Sequence, residues 1–255
     1  MTSKLIKTDE EIEIMREGGR ILSQIVKEIK TQIKAGQKTK EIEKIAQKLF
    51  KKYHVKSSFL GHNGYPAHLC VSLNEEIVHG IPSERKIKDG DLVSIDMGIK
   101  YQGLNTDTAL TVGIGNISKK DKKLIRITRE SLAAGIKQAR LGNRIGDISF
   151  AIQKKVERAG FSVIRDCTGH GIGRELHEKP TIPNFGSQNT GPQLMAGMTL
   201  AIEPMVATGG FETKVLADGW TIATRDNSRT AHFEDTILIT PNGPEFLTNS
   251  QGRIR

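Results

Sequence analysis

No window of about 18 apolar residues occurs anywhere in this 255-residue sequence, so no membrane-spanning helix is expected. The opening residues, MTSKLIKTDEEIEIM, lack an apolar stretch and turn acidic at once, so a secretory signal is not expected either. Cysteine is nearly absent. Cys70 and Cys167 form neither a metal-type pair nor a disulfide framework, which fits a reducing cytosol and makes the cytoplasm the default compartment. Aromatic residues make up only 5% and do not interleave with the basic stretches, so the +9 charge reads as solvated helix faces rather than a nucleic-acid patch. A basic surface of this kind still attracts polyanions such as RNA.

What is present is patterned twice. TDEE (8–11) has the form of a capping box, followed by Ile12, Met15, Leu22, Val26, Ile29 and Ile33 at helical spacing. A second helix is expected over about 39–53 with Ile42, Ile45, Ala46 and Leu49 inward, and short strands with glycine turns over about 57–112. SKKD (118–121) opens another capped helix carrying Leu124, Ile127, Leu132 and Ile136, and a fourth is expected over 145–159. IKAGQKTKEI (33–42) matches ARLGNRIGDI (139–148) at an offset of 106, which is 139 minus 33. KDGDLVSID (88–96) matches MAGMTLAIE (195–203) at an offset of 107, which is 195 minus 88, and aligns Asp96 with Glu203. The expectation is a single α+β domain over 1–255 with two pseudo-symmetric halves, about 1–115 and 116–255. Its mostly antiparallel sheet would be backed by four helices.

The segment DLVSIDMGIKYQGLNTDTALTV (91–112) reads as a β-hairpin with a carboxylate in each apolar strand. A turn centred on Tyr101-Gln102 sets Asp96 directly opposite Asp107, an arrangement in which like charges destabilise. Three more polar residues stand in odd places: His170 among the glycines of TGHGIG, Glu203 where the apolar strand within MTLAIEPMV ends, and Glu234 where the β-rich run of FEDTILIT begins. Singly, each fits an exposed strand end or a loop. GHGIG lacks the third glycine of a dinucleotide loop, and His177-Glu178 fails as a zinc-protease HExxH at Thr181. Cys167, three residues before His170, is a weak hint of a thiol nucleophile. Together, four carboxylates and an imidazole share a buried site only if they are protonated or neutralised. Two divalent cations about 3.5–4 Å apart would neutralise them.

The segments GYPAHLCVSLNEEIVHGIP (64–82), GDLVSIDMGIKYQGLNTDTA (90–109), TGHGIGRELHEKP (168–180), TLAIEPM (199–205) and DGWTIATRDNSRTAHFEDTILIT (218–240) resemble, in order and spacing, the motifs of type I methionine aminopeptidases of the bacterial sort. These are metallopeptidases of the pita-bread fold, a curved antiparallel sheet backed by helices. The resemblance implies removal of the initiator methionine when the second residue is small. It implies a two-metal site in which Asp96 binds one ion, His170 and Glu203 the other, and Asp107 and Glu234 both. His79 and His177 would contact the substrate and stabilise the transition state, and Glu203 would also move a proton. Phe59, His62, Tyr65, Cys70 and Trp220 would form the methionine pocket, with Leu176 nearby. Taken alone, Cys70, Trp220 and His79 fit an apolar core equally well.

Relatives often carry Cys, Tyr and Phe where this chain has Phe59, His62 and Leu176. An oxygen-rich donor set with one imidazole suits Mn, Fe or Co better than Zn. The expected partners are N-terminal methionine peptides and nascent chains, with ribosome association read from the +9 charge, no membrane, and a monomeric state. The rival readings are a proline-specific peptidase on the same fold, a type II relative, and a non-catalytic relative that binds peptides, histones or RNA. Such non-catalytic proteins lose ligands, whereas all five positions are filled here.

Overall fold

The computed structural model describes residues 5–249. Four helices, α1 (Asp9–Lys30), α2 (Thr39–Lys52), α3 (Lys119–Gln138) and α4 (Ile145–Glu157), alternate with short strands. The first-half strands are β1 (Lys56–Ser57), β2 (Cys70–Leu73), β3 (Glu76–Val78), β4 (Leu92–Tyr101) and β5 (Leu104–Gly113). The second half holds β6 (Ser162–Val163), β7 (Thr168–Gly171), β8 (Glu178–Pro183), β9 (Thr199–Ile202), β10 (Met205–Ala207), β11 (Thr213–Val215), β12 (Ile222–Thr224), β13 (Thr230–His232), β14 (Glu234–Thr240) and β15 (Gly243–Phe246).

α1 starts where the chemistry of its first turn dictates. Thr8 Oγ1 accepts from Glu11 N at 3.2 Å and Glu11 Oε2 accepts from Thr8 N at 2.8 Å, so two otherwise unpaired backbone donors are satisfied reciprocally. Its buried stripe, including Met15, Leu22, Ile25 and Ile29, packs on β4 and β5. The helix stops at Lys30 with Thr31 as its C-cap, so Ile33 packs on the core from outside the helix. α4 likewise ends at Glu157, two residues short of Ala159. The backbone repeats at the expected offsets. Gly36 and Gly142 have φ of 86° and 88°, Gly90 and Gly197 both have 85°, and α2 and α4 each open on a basic residue followed by an acidic N3 partner.

The main sheet has the order β1-β4-β5-β14-β9-β7-β8, with β2 paired to β4 and β15 to β14, and every pairing is antiparallel. One expectation is corrected here. Asp96 lies opposite Ala109 and Asp107 opposite Gly98, two positions away from the expected register. The turn falls on Gln102-Gly103, with φ of 46° and 91°. A two-residue hairpin loop that matches strand twist needs positive φ at both positions, which favours glycine at the second. Because the displacement is even, both carboxylates keep the same face and stand diagonally, with the small Gly98 and Ala109 opposite them.

Candidate metal centre and active site

Strand register alone collects the unusual polar residues on one face of the sheet. Cys70 pairs with Asp96, Asp96 with Ala109, and Ala109 with Glu234. Asp235 pairs with Ile202, so the next step of that register sets Glu203 across from Glu234. His170 pairs with Ala201, two residues before Glu203 and therefore on its face. The glycines around His170 permit this approach: a Cβ on Gly171 would lie 2.1 Å from Lys179 O, and one on Gly169 2.5 Å from Ala201 O.

The result is a compact cluster of ligand-type atoms. Donor atoms of Asp107, His170 and Glu234 lie within 4.8 Å of one another, as do those of Glu203, His232 and Glu234. Among the described residues the carboxylates gain no lysine or arginine partner, and the electrostatics show it. Burial, then the charges of Asp107 and Glu203, hold Asp96 well above the usual carboxylate range. Burial raises Asp107 to about 7. It also lifts Glu203 and Glu234 well above the ordinary value, with the Asp107 charge the next cause for each. Asp96 Oδ1 and Glu234 Oε1 are buried without a hydrogen-bond partner. Orphaned buried carboxylate oxygens that face one another fit a divalent-metal centre, which would supply the missing positive charge. His170, lowered to about 3 first by burial and then by His177, is held neutral, as a metal-ligating imidazole must be.

Beside this cluster is a pocket of about 120 Å³, and all of the expected site residues line it. Its apolar wall comes from Phe59, Tyr65, Cys70, Leu176 and Trp220, which also pack together as a small core of their own. Tyr65 is fixed by its hydroxyl, which donates to Leu69 O and Gly80 O at 3.3 and 3.1 Å, and its ring meets Trp220 edge-on at 5.2 Å. Asp218 Oδ1 accepts from the backbone of Trp220 and Thr221, closing the turn that presents the indole. Cys70 and Trp220 are thus core and pocket at once. His79 follows β3 with φ of 60°, a left-handed backbone that a Cβ-bearing residue seldom adopts.

His177 stands at the mouth with its Nδ1 3.2 Å from His62 Nε2 and its ring 4.4 Å from that of His170. Desolvation, then His62 and His79, lowers His177 to about 4. The segment carrying His177 is clamped from both sides. Lys7 Nζ donates to Glu178 Oε2 at 2.8 Å, Arg174 forks onto Glu11 at 2.6 Å, and Asn105 donates to Gly173 O from backbone and side chain. Cys167 is no nucleophile: burial, then Glu203 and Asp166, push its thiol to about 12.

Sequence reasoning missed three members of this constellation. Asn63 and Val78 line the pocket from a loop and a strand end, where no periodicity marks them. His232 stands beside Glu203 and Glu234. Its only signal was its place two residues before Glu234, which in an extended chain points to the same face.

The family model for metallopeptidase family M24 matches residues 13–241, nearly the whole chain. The chain belongs to metallopeptidase family M24. Among its M24 relatives, methionine aminopeptidase 1 of Bacillus subtilis (strain 168) is 50% identical over 244 residues, covering 96% of this chain and 98% of the relative. The methionine aminopeptidase of Clostridium perfringens is 49% identical with the same coverage. The crystal structure of methionine aminopeptidase from Thermotoga maritima superposes with a TM-score of 0.94 at 50% identity, covering 96% of this chain and 98% of that one. The prolidase from Pyrococcus furiosus shares the M24 fold at a TM-score of 0.80 and 25% identity, but this chain covers only 67% of it. The curled antiparallel sheet backed by helices is therefore the pita-bread fold. No helix among the described residues is long and apolar enough to cross a membrane.

Proposed function

We propose that this M24 metallopeptidase removes the N-terminal methionine from peptides and nascent chains whose second residue is small. The observation that carries the reading is a ligand cluster set against a small apolar pocket, in a chain half identical over nearly its full length to methionine aminopeptidases. In this reading Asp96 would hold one divalent ion, His170 and Glu203 would hold another, and Asp107 and Glu234 would serve both. Mn or Fe, with Co as a substitute in vitro, suits these donors ahead of Zn. Such ions supply Lewis acidity and lower the pKa of a shared water toward about 7.

The remaining work falls to the chain's own residues. The methionine side chain enters the wall formed by Phe59, Tyr65, Cys70, Leu176 and Trp220, with His62 at its edge. His177 donates from Nε2 to the carbonyl oxygen as charge develops there. Its Nδ1, facing His62 Nε2 at 3.2 Å, must then accept, so the histidine pair sets the tautomer. His79 holds the scissile amide. Glu203 would carry a proton to the leaving amine. A more open groove lined in part by His79, Cys167, His177 and Thr181 adjoins the centre and leaves room for the rest of the peptide.

The repeated geometry of the two halves, about 1–115 and 116–255, supports one catalytic domain with internal pseudo-symmetry. A cytoplasmic monomer is the accompanying expectation. The +9 charge and nascent-chain substrates support docking on ribosomes, which cosedimentation at low salt checks.

The deciding assay is release of free methionine from Met-Ala-Ser and Met-Lys-Ser by metal-stripped protein, before and after adding Mn(II). Release from Met-Ala-Ser alone, dependent on Mn(II), is expected, with kcat about 100-fold lower in His177→Ala. No release with any divalent ion would overturn the reading.

A further inference from the structure

His232 ends β13 and is 1% exposed, and neither of its ring nitrogens has a hydrogen-bond partner. Nε2 stands 3.4 Å from Glu203 Oε2, while the other carboxylate oxygen, Oε1, lies 3.7 Å from His170 Nε2. Glu203 is therefore bracketed by two imidazoles, one at each oxygen. The placement is enforced by backbone. His232 pairs with Met205, two residues after Glu203, and its N–H and C=O are both bound to Thr111 Oγ1, at 2.8 and 3.0 Å. Glu203 is held in turn by Asn184 Nδ2, which donates to its carbonyl at 3.1 Å. An imidazole with two unpaired nitrogens in a dry interior is unfavourable unless one of them serves a partner.

We propose that His232 is a positioning residue for the metal centre, donating Nε2–H to Glu203 Oε2 so that Oε1 alone is turned, with His170 Nε2, toward a divalent cation. This rests on the two-metal reading above and adds a residue to it. Closing 3.4 Å to an ordinary hydrogen bond needs a shift of a few tenths of an ångström. His170 cannot replace this donor, because its Nδ1 is already committed to Gly171 O at 2.8 Å. A neutral imidazole has one N–H to give, and Nε2 is the ring nitrogen that faces Glu203. Groups that orient a ligating side chain in this way are worth about 10–100-fold in metal affinity.

The test is calorimetric titration of Mn(II) into metal-stripped wild type, His232→Ala, His232→Met and His232→Gln. Co(II) absorption spectra at saturation accompany it. Ala and Met, which have no donor, should weaken the tighter Mn(II) site by about 10–100-fold. Gln, whose amide N–H can reach the same oxygen, should recover most of that loss and leave the Co(II) bands where wild type has them. Wild-type Mn(II) affinity in a folded Ala or Met variant would overturn the proposal. So would Gln binding no better than Ala with displaced Co(II) bands, the signature of His232 as a direct ligand. Absence of Mn(II) binding by wild type would instead overturn the two-metal reading itself, so the two failures are distinguishable.

Discussion

Asp107→Asn is expected to lower kcat/KM for methionine release from Met-Ala-Ser by about 10³-fold or more, while raising the melting temperature of the metal-free protein at pH 8. Asp107 is buried, is diagonal to Asp96, and lies within the donor cluster of His170 and Glu234. Its Oδ1 accepts from Thr108 N at 2.9 Å, a bond that an asparagine oxygen keeps. The new NH₂ would face Asp96, so a hydrogen bond that depends on a proton shared by two carboxyls becomes one that persists as the pH rises. The fold gains by this, and on the proposed reading the site loses a ligand shared by two ions. Groups that merely orient ligands are worth about 10–100-fold, so loss of a shared ligand should exceed that. Steady-state kinetics with Mn(II) and melting in EDTA measure the two effects. Activity within tenfold of wild type would show that Asp107 is not shared.

Stripped of metal, the protein should also become less stable as the pH rises from about 6.5 to about 8.5. Burial raises Asp107 to about 7 and Asp235 to about 8 from the ordinary value of 3.8, and Asp96, Glu203 and Glu234 are raised as well. Above pH 4 the folded state therefore keeps carboxyl protons that the unfolded chain has released, and stability falls with pH as those protons are lost. The site histidines act in the opposite sense at lower pH. His170 and His232 at about 3 and His177 at about 4, against an ordinary value of 6.5, favour the folded state increasingly as the pH climbs to 6.5. The two trends offset each other below about 6.5, and only the carboxylate trend remains above it.

Each carboxyl still protonated in that window contributes a slope of about 1.4 kcal/mol per pH unit. With a few degrees of melting temperature per kcal/mol for a chain of this size, each such carboxyl lowers the melting temperature by roughly 5–10 °C over two units. Mn(II) should reverse it, adding about 2.7 kcal/mol at a hundredfold excess over Kd, with the gain growing as protons stop competing. Melting curves at pH 6.5, 7.5 and 8.5, in EDTA and in Mn(II), provide the comparison. A flat or rising EDTA series would mean that the carboxylates are solvated or paired in a way this structure lacks.

Local chemistry was legible in the sequence and long-range neighbourhood was not. The capping box of α1, the Ser118 cap of α3, the helix starts and the paired glycines at offsets of 106 and 107 follow rules that operate within a few residues, and they stand where expected. The four carboxylates were visible because a charge inside an apolar strand demands a reason, and His170 because glycines flank it on both sides. The hairpin register was misjudged by two because Tyr101, Gln102 and Gly103 all look like turn residues, and only the demand for positive φ at two consecutive positions selects Gln102-Gly103. The strand order β5-β14-β9-β7, which brings Asp107, Glu234, Glu203 and His170 together, joins residues far apart in sequence, and no local pattern encodes it. His232 shows the same limit, since its proximity to Glu203 comes from the pairing of β13 with β10.

His79 carries a last implication, for how such a chain responds to selection. Its left-handed backbone is one that glycine adopts freely, and histidine occupies it only against a conformational penalty. Glycine there would also remove an imidazole that burial holds below its ordinary pKa. For folding alone, position 79 is thus better served without its ring, and variants sorted only for heat tolerance or expression would drift toward glycine at the expense of turnover. The histidine persists only while turnover itself is selected.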